Sequence, residues 1–175
     1  VACALAIDAF AVKFQMEMDG KGISLGLTRI GVNSGHAIIG NFGGDYFFDY
    51  TAYGDAVNIA ARLESVNKQL GTRICVSQSV VDHMTKFEGR PTGTLLLKGK
   101  TQSLKAYEPL TSEAYSLPAT VSYVEAFAKL EDGDQHARQA FAALVGQYGE
   151  DPLTMFHLGR LLAGETGVEI ELTEK

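Results

Sequence analysis

Tyr50-Thr51-Ala52-Tyr53-Gly54-Asp55-Ala56-Val57-Asn58-Ile59-Ala60-Ala61-Arg62-Leu63-Glu64 is the stretch on which the reading of this chain turns. It reads as a short strand, a tight turn at Gly54 and a helix. Asn58 and Arg62 stand four residues apart, so they project from one helical face. Val57, Ala60, Ala61 and Leu63 are small or apolar, the composition of a packed helix with a single polar stripe. A guanidinium on such a stripe is a planar fork of donors matched to phosphate oxygens, and an amide beside it offers neutral hydrogen bonds.

Outward from that stretch, the expected order is mixed α and β. Val1 to Met18 reads as a helix with Ala4, Ile7, Phe10, Ala11 and Phe14 on one stripe, stopped by Gly20-Lys21-Gly22. Ile23 to Val32 is expected as a strand, His36 to Phe42 as its hairpin partner, and Gly43-Gly44-Asp45 as a turn. Phe47 to Tyr53 is the next strand. Asp55 to Leu70 is the helix, with Gly71 as its stop. Thr72 to Val76 is a strand, Ser77 caps a short helix from Gln78 to Met84, and Phe87 to Leu97 pairs with Leu104 to Leu110. This order suits a ferredoxin-like sheet with helices on one face.

Past Leu117-Pro118 the composition changes. Residues 1–117 hold 11 Lys+Arg and 11 Asp+Glu, whereas residues 118–175 hold 4 and 10, so the whole formal charge of −6 lies in the last segment. That balance excludes a basic nucleic-acid surface. Val121 to Leu130, Gln135 to Tyr148 and Pro152 to Leu162 read as helices, and Val168 to Thr173 alternates like a strand. Ala126, Phe127, Ala140, Phe141 and Pro152 resemble the 34-residue tetratricopeptide unit, of which only about one and a half fit here. A segment that short is expected to dock on the first domain or on a neighbouring chain.

Four motifs in order now carry a family resemblance. Thr51 to Glu64 resembles the signature of the class III nucleotide cyclases, the adenylate and guanylate cyclase catalytic domain. Arg29-Ile30-Gly31-Val32-Asn33-Ser34-Gly35-His36-Ala37-Ile38-Ile39-Gly40-Asn41 resembles the segment before it. Ile74-Cys75-Val76-Ser77 resembles the next core strand, and Leu97-Lys98-Gly99-Lys100 with Leu104-Lys105-Ala106-Tyr107 the closing hairpin. The expected architecture is therefore an α+β, ferredoxin-like class III cyclase fold, truncated at its N-terminus. Residues 1–110 form the partial catalytic domain, 111–117 a linker, and 118–175 a tetratricopeptide-like helical appendage and tail.

The resemblance implies an adenylate cyclase that turns ATP into 3′,5′-cyclic AMP and pyrophosphate in cyclic-nucleotide signalling. By the same resemblance Arg62 stabilises charge on the α-phosphoryl group, Asn58 orients the ribose, Lys98 holds the terminal phosphates and Thr51 reads the purine edge. Thr51 tilts the choice toward ATP, since adenylate cyclases of the family carry Asp or Thr there. The family's Mg²⁺ or Mn²⁺ ions are held by two Asp residues of a first strand and hairpin that this sequence lacks. Asp8, Asp19, Asp45, Asp49 and Asp55 do not sit in those motifs, so no metal ligand is carried over. The implied assembly is a homodimer with active sites at its interface, and the piece alone is expected to be inactive and to self-associate. Two alternatives stay open: a guanylate cyclase, and a non-catalytic cyclase-like module whose C-terminal helices bind a protein.

Other signals are weaker. Cys3 and Cys75 read as buried reduced thiols of a cytoplasmic protein. The apolar run Val1 to Val12 is too short to span a bilayer, so no membrane segment is expected here. His36, His83, His136 and His157 have no metal-ligand spacing. Gly43-Gly44-Asp45-Tyr46-Phe47 lacks the acidic fourth residue of a diguanylate cyclase signature, and Gly40-Asn41-Phe42-Gly43 is no phosphate-binding loop.

Overall fold

The computed structural model describes residues 1–44, 46–96 and 103–171. Helix α1 spans Ala2–Asp19, and strand β1 spans Ile30–Val32. A hairpin follows, β2 at Ile38–Gly44 and β3 at Phe47–Tyr53, then helix α2 at Asp55–Leu70. Strand β4 is Ile74–Ser77, α3 is Gln78–Val81, β5 is Gly89–Leu96 and β6 is Ser103–Pro109. A single turn, α4 at Ser112–Tyr115, leads to α5 at Pro118–Glu131, α6 at Ala137–Tyr148, α7 at Pro152–Leu162 and β7 at Glu169–Glu171.

The main sheet has the order β1-β4-β6-β5-β7, with β2 and β3 forming a separate ribbon. β1 runs parallel to β4, β6 is antiparallel to both β4 and β5, and β7 closes parallel to β5. Alternation along β4 explains the layers. Cys75 points into a core shared with Leu95, Ala106, Leu63, Phe127, Phe141, Leu153 and Ile170. Ile74 and Val76 point the other way, to Ala4 of α1, Val80 and Val81 of α3, and Tyr107. Successive strand residues face opposite sides, and all four residues of β4 are buried. The sheet therefore carries helices on both faces, not on one as the sequence suggested.

Several other expectations are corrected. The strand expected from Ile23 shrinks to Ile30–Val32, because its described partner β4 offers pairing only from Ile74 onward. The segment after His36 pairs not with β1 but with β3, from Ile38 opposite Tyr53 through Gly44 opposite Phe47. The helix after Ser77 is one turn long, and the Ser77 hydroxyl engages the Ser79 hydroxyl at 2.8 Å instead of capping a backbone amide. On α1 only Ala4 is buried, leaving Ile7, Phe10 and Phe14 exposed. Cys3 is exposed. Cys75 is buried as expected, and burial pushes its thiol up to about 12.

The last segment docks on the sheet. Tyr123, Phe127 and Phe141 join the core of Leu63, Leu95 and Cys75, and Ile170 of β7 lies on the same side. No described helix is long and apolar enough to cross a membrane.

Candidate active site

Helix α2 carries the candidate site, and its placement follows from its two faces. Ile59, Leu63, Val66, Asn67 and Leu70 point inward at helical spacing, whereas Val57, Asn58, Ala61, Ser65 and Lys68 are exposed. Arg62 is half-buried beside Asn58 on the outer side. Among the described residues neither the Asn58 amide nor the Arg62 guanidinium has a hydrogen bond or ion pair. Two polar groups one turn apart are thus held at the surface of a well-packed helix with their donors unspent.

Glycine makes that placement possible at two points. Gly54 precedes the helix with φ 147°, a conformation that L side chains rarely adopt, and a Cβ there would sit 3.3 Å from the His36 carbonyl oxygen. The chain can therefore turn sharply from β3, which holds Thr51, into α2. Gly31 of β1 lies directly under the helix, where a Cβ would come within 2.0 Å of the Ala60 carbonyl oxygen and 2.3 Å of the Glu64 amide nitrogen. Only a bare backbone lets α2 lie that close to β1.

A buried amide locks the contact. The Asn67 Nδ2 group donates to the carbonyls of Leu63 at 2.8 Å, Ile30 at 3.1 Å and Glu64 at 3.2 Å. Its Oδ1 accepts from the Thr72 hydroxyl at 2.7 Å. Asn33 Nδ2 donates to the Ala56 carbonyl at 3.1 Å, and Ser79 Oγ donates to Asn33 Oδ1 at 3.1 Å, so the loop before β2 is tied to the first turn of α2 and to α3. Sequence reasoning missed Asn67 and the structural part played by Asn33. A polar residue on the apolar stripe of α2 was the available signal for Asn67, since buried amides need partners.

Thr51 sits in β3 opposite Gly40, exposed, three residues before the helix turn. Lys98 lies outside the described residues. Val57 beside Asn58 is exposed, and so are Ile38, Ile39, Phe47, Phe48, Tyr50 and Tyr53 of the β2–β3 ribbon that leads into α2. Two cavities among the described residues lie elsewhere. One of about 200 Å³ is lined by Leu130, Arg138, Leu161 and Thr166, and one of about 160 Å³ by Pro91, Lys105, Phe127 and Val168. Among the described residues no group of three or more His, Cys, Asp or Glu is placed to hold a metal ion.

Known proteins resemble the first two thirds of this chain. Adenylate cyclase 1 of Rhizobium meliloti is 39% identical over 109 residues, covering 61% of this chain and 16% of that protein. An adenylate cyclase of Anabaena cylindrica is 32% identical over 107 residues, covering 59% of this chain and 21% of its own length. The chain thus spans about a fifth or less of these relatives. Among solved structures, the adenylyl cyclase CyaB from P. aeruginosa superposes with a TM-score of 0.50 at 28% identity, covering 62% of this chain and 55% of that one. The guanylyl cyclase Cya2 matches in fold with a TM-score of 0.51 at 24% identity, covering 66% and 59%. Residues 1–110 match the adenylate and guanylate cyclase catalytic domain, and the chain belongs to that family of class III nucleotide cyclases.

Proposed function

We propose that this chain supplies the Asn–Arg half of an adenylate cyclase active site, completed across a homodimer interface. The observation that carries the reading is the pair of exposed Asn58 and half-buried Arg62, unengaged among the described residues, on a helix fixed from below. A surface guanidinium with no partner and a rigid base is suited to charge that appears only when substrate reacts.

In the reaction the ribose 3′-hydroxyl attacks the α-phosphorus of ATP, the bond to the β-phosphate oxygen breaks, and pyrophosphate leaves. Arg62 stabilises the charge spread over the α-phosphoryl oxygens. Asn58 hydrogen-bonds the ribose and holds the 3′-oxygen toward phosphorus, an orientation effect that counts heavily in phosphoryl transfer. Thr51 contacts the purine edge, and Lys98 neutralises the terminal phosphates. ATP is favoured over GTP by Thr51 and by relatives that are named adenylate cyclases. The family's divalent ions would neutralise charge at the reacting phosphates, and among the described residues no cluster of three or more ligating side chains is placed to hold them. The exposed aromatic ribbon of β2 and β3 suits burial against a second copy, and the C-terminal helices remain open to a protein contact. A cytoplasmic site of action fits an ATP substrate.

The test is an assay of the full-length protein with ATP and GTP separately, in Mn²⁺, beside Arg62→Ala. Cyclic AMP formation that falls by about a hundredfold or more in the variant is expected. Cyclic GMP as the dominant product would transfer the reading to a guanylate cyclase. A folded dimer that makes neither product would leave a non-catalytic module. The 175 residues by themselves should make no cyclic AMP, since no cluster of three or more metal-ligating side chains forms among the described ones.

A further inference from the structure

Three features at the far end of α2 have no part in the proposed chemistry, yet they converge. Arg90 of β5 is largely buried. Its Nε donates to Glu108 at 2.6 Å, and its two terminal nitrogens donate to the two oxygens of Asp151 at 2.9 and 3.0 Å. Its guanidinium lies 4.8 Å from the ring centre of Tyr123, whose hydroxyl donates to the Pro91 carbonyl at 2.9 Å. Burial works against the Arg90 charge, but Glu108 and Asp151 more than offset it and hold the pKa above its ordinary value.

Asp151 does two jobs. It caps α7, accepting from the Thr154 amide at 2.9 Å and hydroxyl at 2.8 Å, and it fixes that helix start to Arg90. The next residue, Pro152, presses on the left-handed Gly71 that ends α2, where an added Cβ would stand 2.5 Å from the proline Cβ. Gln69 Nε2 donates to the Glu171 carbonyl of β7 at 3.1 Å. Below, Leu63, Val66 and Leu70 share one core with Leu153, Phe127 and Phe141.

We propose that Asp151 and Arg90 are positioning residues of the cyclase site: they clamp the C-terminal helices against the end of α2 and thereby set where Asn58 and Arg62 stand. This rests on the reading of α2 as the catalytic helix. Arg62 is nine residues from Gly71, about 13 Å along a helix that rises ~1.5 Å per residue. A rigid helix carries a tilt at that end to the guanidinium, and small misplacements of catalytic groups cost rate more than affinity. The helical segment is then part of the catalytic unit, and a ligand that loosened it would lower turnover.

The experiment uses the full-length protein with Asp151→Asn and, separately, Arg90→Lys. Asparagine still caps a helix but gives up the paired carboxylate oxygens, whereas lysine keeps the charge and loses the fork. Lys105→Ala is the control. It removes a surface contact to Glu131 between β6 and α5, at 3.0 Å, that does not touch α2. Hydrogen exchange and steady-state kinetics are read together, with protection in the β2–β3 ribbon reporting that each variant is folded. Expected in both variants is exchange about tenfold faster at residues 66–71. A fall in kcat of about 3- to 30-fold should accompany it, with KM for ATP within about twofold. The control should change neither. Unaltered exchange in α2, or faster exchange with kcat intact, would overturn the clamp as a positioning device. A wild-type protein without cyclase activity but with faster α2 exchange in the variants would overturn the cyclase reading instead, leaving the mechanical link standing.

Discussion

His157 should make this fold acid-sensitive, and replacing it by Leu should remove that sensitivity. The imidazole is fully buried on α7, and both ring nitrogens lack a hydrogen-bond partner. Its neighbours are the rings of Phe156, Phe141, Phe127 and Tyr123, with centroids 5.2, 5.4, 5.5 and 6.3 Å away. Burial, then the charge of Arg160 and to a smaller degree that of Arg90, lowers the pKa from 6.5 to about 3; the Thr92 backbone opposes them in part, without hydrogen-bond geometry. The unfolded chain therefore binds a proton near pH 6.5 that the folded chain refuses until about pH 3. Between those values stability is lost as the pH falls, by about 1.4 kcal/mol per unit at full effect; above the upper value this group contributes no slope. At pH 7.5, Leu relieves the cost of buried nitrogens, about 1–3 kcal/mol. It also forfeits ring contacts of about 0.5–1.5 kcal/mol. The net expectation is a stabilisation of about 1 kcal/mol. At pH 5.0 wild type has lost about 2 kcal/mol more, so the gap widens to about 3 kcal/mol. Urea unfolding of both proteins from pH 7.5 to 5.0 measures it, and titration of Glu108 and Asp151 cancels in the difference. Parallel pH curves, or a Leu variant less stable at pH 7.5, would refute the reasoning.

Three further outcomes follow from the same packing. Asn67→Ala removes the amide that holds α2 to β1 and strands the buried Thr72 hydroxyl, and should cost about 2–4 kcal/mol by denaturant titration. Gly31→Ala drives a methyl into the α2 backbone, so soluble yield should collapse, or the protein unfold at least about 10 °C below wild type, a shift of several kcal/mol. Phe48→Ser with Tyr50→Ser, both on the exposed ribbon, should weaken self-association in light scattering and leave the circular dichroism unchanged.

Much of the fold was legible because its signals are local. Asp55 to Leu70 is a helix with the expected bounds, ended by a left-handed Gly71, since period, turn and stop all lie within the segment. Pro152 to Leu162 likewise needs only its Asp-Pro start and apolar stripe. Ile23 to Arg29 has the pattern of a strand and is not one, because a strand is made by its partner, and no described strand runs beside it. His36 to Phe42 pairs with a different neighbour from the one expected for the same reason: alternation states that a segment can pair, not with which strand. At the site, the Asn58 and Arg62 spacing put both on one face, and Asn67 showed only as a polar break in an apolar stripe, while Arg90, Asp151 and His157 were silent. Each acts through residues far away in the chain, as when Asn67 meets Ile30 or Arg90 meets Asp151.

By itself the sequence determined the family, since motif order and helical period are properties of the chain alone. It also located the change in composition at Pro118. Only the tertiary structure decided that the acidic helices beyond that point share a core with the cyclase sheet and abut helix α2. Burial and ion pairing between distant segments depend on which surfaces meet, and no one-dimensional pattern records that meeting.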